Sequence, residues 1–189
     1  MRRINLLLLF LGLIAITLSC QKKSEYHKLV EKELASGLRH DSLFFGIYLG
    51  MSSRDFYAHC WKLNKQGLIR QGAGNTSVYH QIKDFDYPAG MDFYPTFYEG
   101  KIVEMPLIFA YDGWAPWNKH LHAKHLKVEV LALMKKWYGP DFIEVKKPGP
   151  FGGNAFVKVD GNRRISIYEM DDSRVMVNFV DLLAQREKK

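Results

Sequence analysis

The first hydrophobic pattern in the chain is a run that starts at Ile4 and is almost entirely apolar as far as Leu18. Arg2 and Arg3 precede it, and a small residue and a cysteine follow it. A helix that spans a bilayer needs about 20 apolar residues, so this run is short for a membrane span. A basic start, a short apolar stretch and a small residue are typical of an export signal. The pattern therefore predicts an export leader that is removed by cleavage. An ordinary signal peptide cut near Ser19 would fit the same pattern, and so would an uncleaved anchor.

Three later segments carry apolar side chains at helical spacing. Ser52 and Asp55 have the spacing of a capping box in which Asp replaces the usual Glu, and Gly67 can end that helix in the left-handed conformation. Asn118 is a plausible N-cap for the longest segment, which stops at Gly139. The predicted helices are residues 25–38, 52–67 and 119–138.

The segments between the helices are rich in branched and aromatic residues and are bounded by turn formers. Glu99-Gly100 predicts a tight hairpin, and Asp160-Gly161-Asn162 predicts a second turn. Pro95 and Pro106 lack a backbone donor and are expected at an edge or a bulge. The predicted strands are residues 43–49, 77–83, 91–98, 101–111, 142–146, 155–159, 163–169 and 174–182.

This order of elements predicts an α+β fold in which helices pack on one face of an antiparallel sheet. Each of the two longer helices is followed by strands, so residues 43–184 form one domain of two tandem units, about 43–111 and 118–184. Residues 20–42 are interpreted as a tether with a possible N-terminal helix. Residues 185–189 are a charged tail.

Charge changes this picture little. The chain has 27 Lys and Arg against 20 Asp and Glu, which gives a formal charge of +7. The excess is spread along the sequence, whereas a nucleic-acid site needs a concentrated basic stripe. We therefore expect no nucleic-acid partner, and a weak attraction to anionic lipid.

The end of the leader, Leu18-Ser19-Cys20, resembles the processing site of bacterial lipoproteins. The resemblance implies cleavage before Cys20, acylation of that residue, and attachment to a membrane of the cell envelope through lipid. Gln21 stands where some lipoproteins carry the Asp of inner-membrane retention, so the outer membrane is the expected location. Cys60 then has no disulfide partner, and its spacing from Phe56 and Leu63 favours a small buried residue over a catalytic thiol.

A second resemblance starts in the predicted strand before Ser52. Residues 46–56, Gly-Ile-Tyr-Leu-Gly-Met-Ser-Ser-Arg-Asp-Phe, are similar to the strand-Gly-Met-Ser/Thr-helix entry of small envelope domains of the SmpA/BamE and β-lactamase-inhibitor type. The segment Trp137-Tyr138-Gly139-Pro140 closes the later helix in the manner of those domains. The likeness implies a binding or assembly module, and it carries over no catalytic residue.

The loop after residue 110 is the most suggestive feature for binding. Tyr111, Trp114 and Trp117 surround a Gly and a Pro, and His122 follows. Exposed aromatic rings in a stiff loop can anchor a protein or stack on a glycan. The same rings could instead close the core where a strand meets a helix.

One pattern permits an enzyme. On a helix, His122, His125 and Glu129 share one side, and two imidazoles with a carboxylate are a known metal-ligand set. No established ligand motif surrounds them, and nearby lysines oppose a cation. The sequence thus leaves two hypotheses: a lipid-anchored, non-enzymatic module without a cofactor that binds a protein or glycan, and a small metal-dependent hydrolase.

Overall fold

The computed structural model describes residues 24–72, 76–146 and 153–187. The predicted leader, residues 1–19, and Cys20 lie outside the described residues. The helices are α1 (Glu25–Ala35), α2 (Ser53–Lys65), α3 (Ala123–Tyr138) and α4 (Leu182–Glu187). The strands are β1 (Arg70–Gln71), β2 (Val78–Ile82), β3 (Ala89–Phe93), β4 (Thr96–Tyr98), β5 (Lys101–Tyr111), β6 (Ile143–Lys146), β7 (Asn154–Asp160), β8 (Arg163–Glu169) and β9 (Arg174–Asp181).

The strands form one nine-stranded antiparallel sheet, which confirms the predicted α+β class. The order across the sheet is β1-β2-β3-β5-β9-β8-β7-β6, and β4 also pairs with β5. The last strand in sequence, β9, therefore lies in the middle, between β5 and β8. The division into two tandem units stays a prediction. We call the two ends of the sheet the Lys101 end and the Tyr111 end, after the first and last residues of β5.

One face of the sheet carries the main core. Helix α3 buries one apolar stripe against it, and α2 buries Phe56 and Leu63. Alternate residues of a strand point to opposite faces, so every second residue of β5 and β9 reaches this core. Its central strand residues are Met105, Leu107, Phe109, Val175, Val177 and Phe179. The predicted stripe of α3 is confirmed for Leu126, Val130, Leu133 and Met134, whereas Trp137 is 37% exposed.

Helix α1 differs from the expected arrangement because it packs on the opposite face. Leu29, Val30 and Leu34 contact a separate small cluster built on Ala155, Val157 and other residues of this face. The neighbouring side chain Phe156 points to the main core. The helices thus lie on both faces. None of the described helices combines the length and the apolar composition needed to cross a bilayer.

Polar contacts fix the last part of α1 and the chain after it to the loop between β7 and β8, at the Lys101 end. The backbone N–H of Gly161 donates to Glu33 Oε2 at 3.1 Å, and the N–H of His40 donates to Asn162 Oδ1 at 2.7 Å. Asn162 Nδ2 donates to Asp41 at 2.9 Å. Since this end holds the C-terminal side of α1, the helix begins at the Tyr111 end.

Residues 43–49 do not form the predicted strand. The backbone N–H of Leu43 donates to Ile47, and that of Ile47 donates to Phe44, so the segment is a tight turn. Phe45 and Gly46 adopt φ values of 52° and 78° there. All its larger apolar side chains except Phe45 and Tyr48 are buried, which explains why the composition resembles that of a strand.

The longest helix begins later than predicted, at Ala123 instead of Lys119. Residues Lys119–Leu121 form a 3₁₀ turn, His122 is extended, and the side chain of Asn118 caps nothing. The backbone N–H of Ala123 instead donates to the carbonyl of Asp172, in the loop before β9, at 2.8 Å. A tertiary contact therefore sets the start of α3.

Pro106 lies inside the central strand β5, so its predicted edge position is wrong. On one side β5 pairs with β9, where Pro106 is opposite Asn178. On the other side β3 ends opposite Leu107 and β4 begins opposite Glu104. Because Pro106 falls in the gap between these two pairings, its missing N–H costs the ladder nothing.

Candidate binding surface

Two of the sequence-predicted binding residues, Tyr111 and Trp114, lie in or against the core. Tyr111 is 5% exposed, and its hydroxyl donates a short hydrogen bond to Glu129. Burial and this hydrogen bond both raise the pKa of Tyr111. Trp114 packs against the main core, and its indole nitrogen is buried without a partner among the described residues. The prediction of an exposed surface is therefore wrong for Tyr111. It is the last residue of β5, and its side chain points toward the main core.

The other two predicted residues remain near the surface. His122 is the residue before α3, and its Nε2 lies 3.2 Å from the carbonyl oxygen of Pro116. Its ring centroid is 6.1 Å from that of Trp114. Trp117 is 83% exposed, which makes it the most exposed large apolar side chain in the described part of the chain. The structure thus buries Tyr111, exposes Trp117, and leaves Trp114 and His122 half-buried.

The alternative metal set is not assembled. Both carboxylate oxygens of Glu129 are occupied, one by Tyr111 and the other by the backbone N–H of Asp86 at 2.7 Å. Across the residues that the structure describes, no group of three or more His, Cys, Asp or Glu side chains could hold a metal ion. The shared helix side of His122, His125 and Glu129 does not bring their ligand atoms to one point, because the tertiary contacts direct Glu129 toward Tyr111.

Cys60 lies half-buried on α2 and packs against the main core. Burial raises the pKa of its thiol to about 11. A thiol with this pKa is almost entirely protonated at neutral pH, whereas reactive cysteines have lowered pKa values. The position therefore supports a packing role.

The second face of the sheet carries an apolar surface beside α1. Ile108 and Met176 are cross-strand partners on β5 and β9, and both point away from the main core. Each is partly exposed, and neither belongs to the main core or to the cluster under α1. Cross-strand neighbours extend this pair into a row across the sheet. Asp92 on β3 and Tyr79 on β2 follow Ile108 on one side, and Tyr168 on β8 follows Met176 on the other. We call this row, together with Pro106 and Asn178 beside it, the open sheet face.

Tyr79 is held in a fixed position at one side of this face. Its ring lies against Gly90, where a Cβ atom would come within 2.3 Å of a ring carbon. Its hydroxyl donates to Gln81 at 2.7 Å, and the guanidinium of Arg70 lies 4.1 Å from the ring centroid. A ring that is already ordered loses little conformational freedom when a ligand contacts it.

The other side of the open sheet face leads into a groove of about 620 Å³ beside the start of α1. Ala155 and Val157 are among its apolar lining, and the hydroxyl oxygen of Tyr26 accepts a hydrogen bond from Arg164 at 3.1 Å. Two buried polar atoms near this boundary, Asn178 Oδ1 and Arg164 Nε, have no partner among the described residues. Buried polar atoms normally have one, but both atoms are closed off from solvent and add nothing to the surface that a ligand could contact.

Sequence reasoning missed the open sheet face. The available signal was the run Met105 to Ala110, in which outward positions are as apolar as inward ones. A strand with one solvated face alternates between apolar and polar residues, whereas a strand covered on both faces is continuously apolar. Comparisons with known protein families, with curated proteins and with solved structures find no match to this chain. The resemblance to the SmpA/BamE and β-lactamase-inhibitor domains therefore stays a prediction.

Proposed function

We propose that this chain is a lipid-anchored, non-enzymatic module of the bacterial cell envelope that binds a protein partner through its open sheet face. The observation that carries the proposal is the pair Ile108 and Met176. These side chains occupy the middle of the sheet, where the second face has no covering helix among the elements described. Both side chains are partly exposed, and apolar surface gathered in one patch is typical of an interaction site.

The chemistry of the face favours a protein over a glycan. Its centre is apolar, and charged or amide groups, including Asp92 and Asn178, lie around it. A protein interface has the same arrangement, with an apolar core, a polar rim, and enrichment in Met and Tyr. A glycan site needs more hydrogen-bonding groups at its centre than Ile108, Met176 and Pro106 supply.

The anchor completes the proposal. Cys20 would hold the domain at the outer membrane, four residues before Ser24, and so concentrate it near partners in that membrane. We expect intact-mass analysis to show acyl chains on the mature protein. The Cys20→Ala variant should lose its acyl mass and leave the outer-membrane fraction. Unchanged mass and fractionation in that variant would contradict the anchor.

Binding through the face is tested with Ile108→Glu in the full chain. A charge at the centre of a desolvated interface is expected to weaken partner binding about thirtyfold or more. The measurement is co-purification from detergent-solubilised envelope, followed by mass spectrometry and by titration of the protein that is recovered. Met176→Glu, on the partner strand, should have the same effect.

Trp61→Glu is the matched control, because Trp61 is 64% exposed on α2, which packs on the opposite face. Its co-purification should equal that of the unmodified chain. Thermal unfolding of all three variants checks that the fold is retained. If Trp61→Glu loses the partner while Ile108→Glu keeps it, the open sheet face is not the binding site; recovery of a glycan alone would overturn the choice of a protein partner.

A further inference from the structure

A group of exposed cationic and aromatic side chains lies at the Tyr111 end of the sheet. Trp117 is 83% exposed in the loop that follows β5. Lys119, His120, Lys124 and His125 are exposed on the 3₁₀ turn and the first turn of α3, and the two histidine rings are 6.5 Å apart. We call these five residues the basic tryptophan patch.

Acidic residues also lie at this end of the sheet: Asp171 pairs with Arg174, while Asp84 and Asp86 are exposed in the loop between β2 and β3. Neither Lys119 nor Lys124 forms a salt bridge within the described residues, whereas the next lysine of the helix, Lys127, pairs with Glu169 at 2.5 Å. Of the acidic residues at this end, Asp112 accepts a hydrogen bond from Gln81. Glu129 is occupied by its two hydrogen bonds, and Asp172 is exposed. The patch therefore presents two unpaired lysines beside an indole.

The chain enters the domain at the same end. Ser24, the N-cap of α1, lines the groove with Lys146 and Tyr168, which lie at the Tyr111 ends of β6 and β8. Strand β5 is two strands away from β8, or about 10 Å within the sheet at the usual strand spacing, and α1 and α3 lie on opposite faces of that sheet. The chain from Cys20 to Ser24 spans at most about 14 Å when it is fully extended.

From these observations we propose that the basic tryptophan patch contacts the headgroup region of an anionic lipid surface. The inference rests on the anchor of the proposed function, because a lipid on Cys20 would confine the Tyr111 end to the neighbourhood of the bilayer. Trp is favoured at the boundary between headgroups and acyl chains, where its ring is buried and its N–H stays hydrated. Lysines near an anionic surface add electrostatic attraction. The open sheet face would then stand beside the membrane and remain accessible to a partner.

The test uses the acylated full chain in vesicles of phosphatidylcholine, with or without phosphatidylglycerol, in which part of the phosphatidylcholine carries bromine near the headgroup. Bromine quenches a tryptophan only at contact distance. The fluorescence of Trp117 is obtained as the difference between the fluorescence of the unmodified chain and that of the Trp117→Phe variant. We expect this difference signal to be strongly quenched in anionic vesicles. Trp61→Phe serves as the control, since Trp61 is 64% exposed on α2 and lies outside the patch; its difference signal should be unquenched.

A charge variant tests the role of the lysines. Lys119→Glu with Lys124→Glu is expected to lower the ratio of docked to undocked protein in anionic vesicles about tenfold or more, since each cation is attracted to the surface. The matched control is Lys62→Glu with Lys101→Glu, because these lysines are also exposed but lie outside the patch. This control should leave the ratio of docked to undocked protein unchanged.

Flotation of the vesicles separates this inference from the proposed function. Protein that floats with the vesicles while Trp117 stays unquenched would overturn the docking and leave the anchor intact. Equal quenching of Trp61 and Trp117 would also overturn it, because contact would then have no defined orientation. Protein that does not float would contradict the anchor and the docking together.

Discussion

Replacing Arg163 by methionine is expected to lower the free energy of unfolding by about 1–3 kcal/mol, because it leaves a backbone carbonyl without its donor, while Asp160 keeps its salt bridge to Lys158 at 2.8 Å. The Arg163 side chain is 8% exposed and donates to Asp160 at 2.9 Å and to the carbonyl of Ser42. Its guanidinium also lies 4.8 Å from the ring centroid of Tyr138. Methionine fills a similar volume but leaves the carbonyl of Ser42 without this donor.

The chain offers a matched control for this substitution. Arg174 and Asp171 form another Arg–Asp pair three residues apart, but the Arg174 side chain is 48% exposed. Exposed pairs contribute about 0–1 kcal/mol, so Arg174→Met should change stability by no more than that. Urea unfolding of both variants, followed by tryptophan fluorescence, gives the comparison. Equal losses in the two variants would show that the buried group has no special role.

Replacing Gly161 by alanine is expected to lower the free energy of unfolding by about 3 kcal/mol. It should also release the chain after α1 from the sheet. Gly161 has a φ of 53°, which disfavours any residue with a Cβ atom by about 1–2 kcal/mol. A Cβ atom there would also come within 2.2 Å of the carbonyl oxygen of Leu38. Because that oxygen belongs to the backbone, the clash is relieved only if the segment around Leu38 moves away. Hydrogen exchange should therefore increase between Glu25 and Asp41 more than in the central strands.

Gly100 provides the control, since it has a φ of 73° and no atom lies within 4 Å of the place that an alanine methyl group would occupy. Gly100→Ala should lower the free energy of unfolding by about 1 kcal/mol, which is the cost of the positive φ alone. It should leave hydrogen exchange in α1 unchanged. If both variants lose the same stability and α1 stays protected in both, the close approach of Leu38 to Gly161 does not hold α1 in place. This contact matters for the proposed anchor because α1 sets where the chain enters the domain.

Local sequence signals predicted most of the elements. Ser52 caps its helix as expected, with its hydroxyl accepting from Asp55 N–H at 3.1 Å. The hairpin at Glu99-Gly100 also forms, with both residues at positive φ. These features depend on contacts between residues close together along the chain, so a sequence pattern contains the information for them.

The features that the sequence did not predict depend on contacts between distant segments. The start of α3 is set by Asp172, and the hydroxyl of Tyr111 finds its acceptor in Glu129, eighteen positions along the chain. The packing of α1 on the second face depends on β7, more than a hundred residues later. The apolar run from Met105 to Ala110 indicated a strand covered on both faces, but the outward position of Ile108 was known only once Leu107 and Phe109 were assigned to the core.

The central claim is that a protein partner contacts the open sheet face, and site-specific photo-cross-linking in living cells tests it most directly. A benzoylphenylalanine placed at position 108 should give a discrete cross-linked product with one protein, and the same probe at position 61 should give none. The product from position 108 should disappear when Met176→Glu is added. A product from position 61 with none from position 108 would contradict the account.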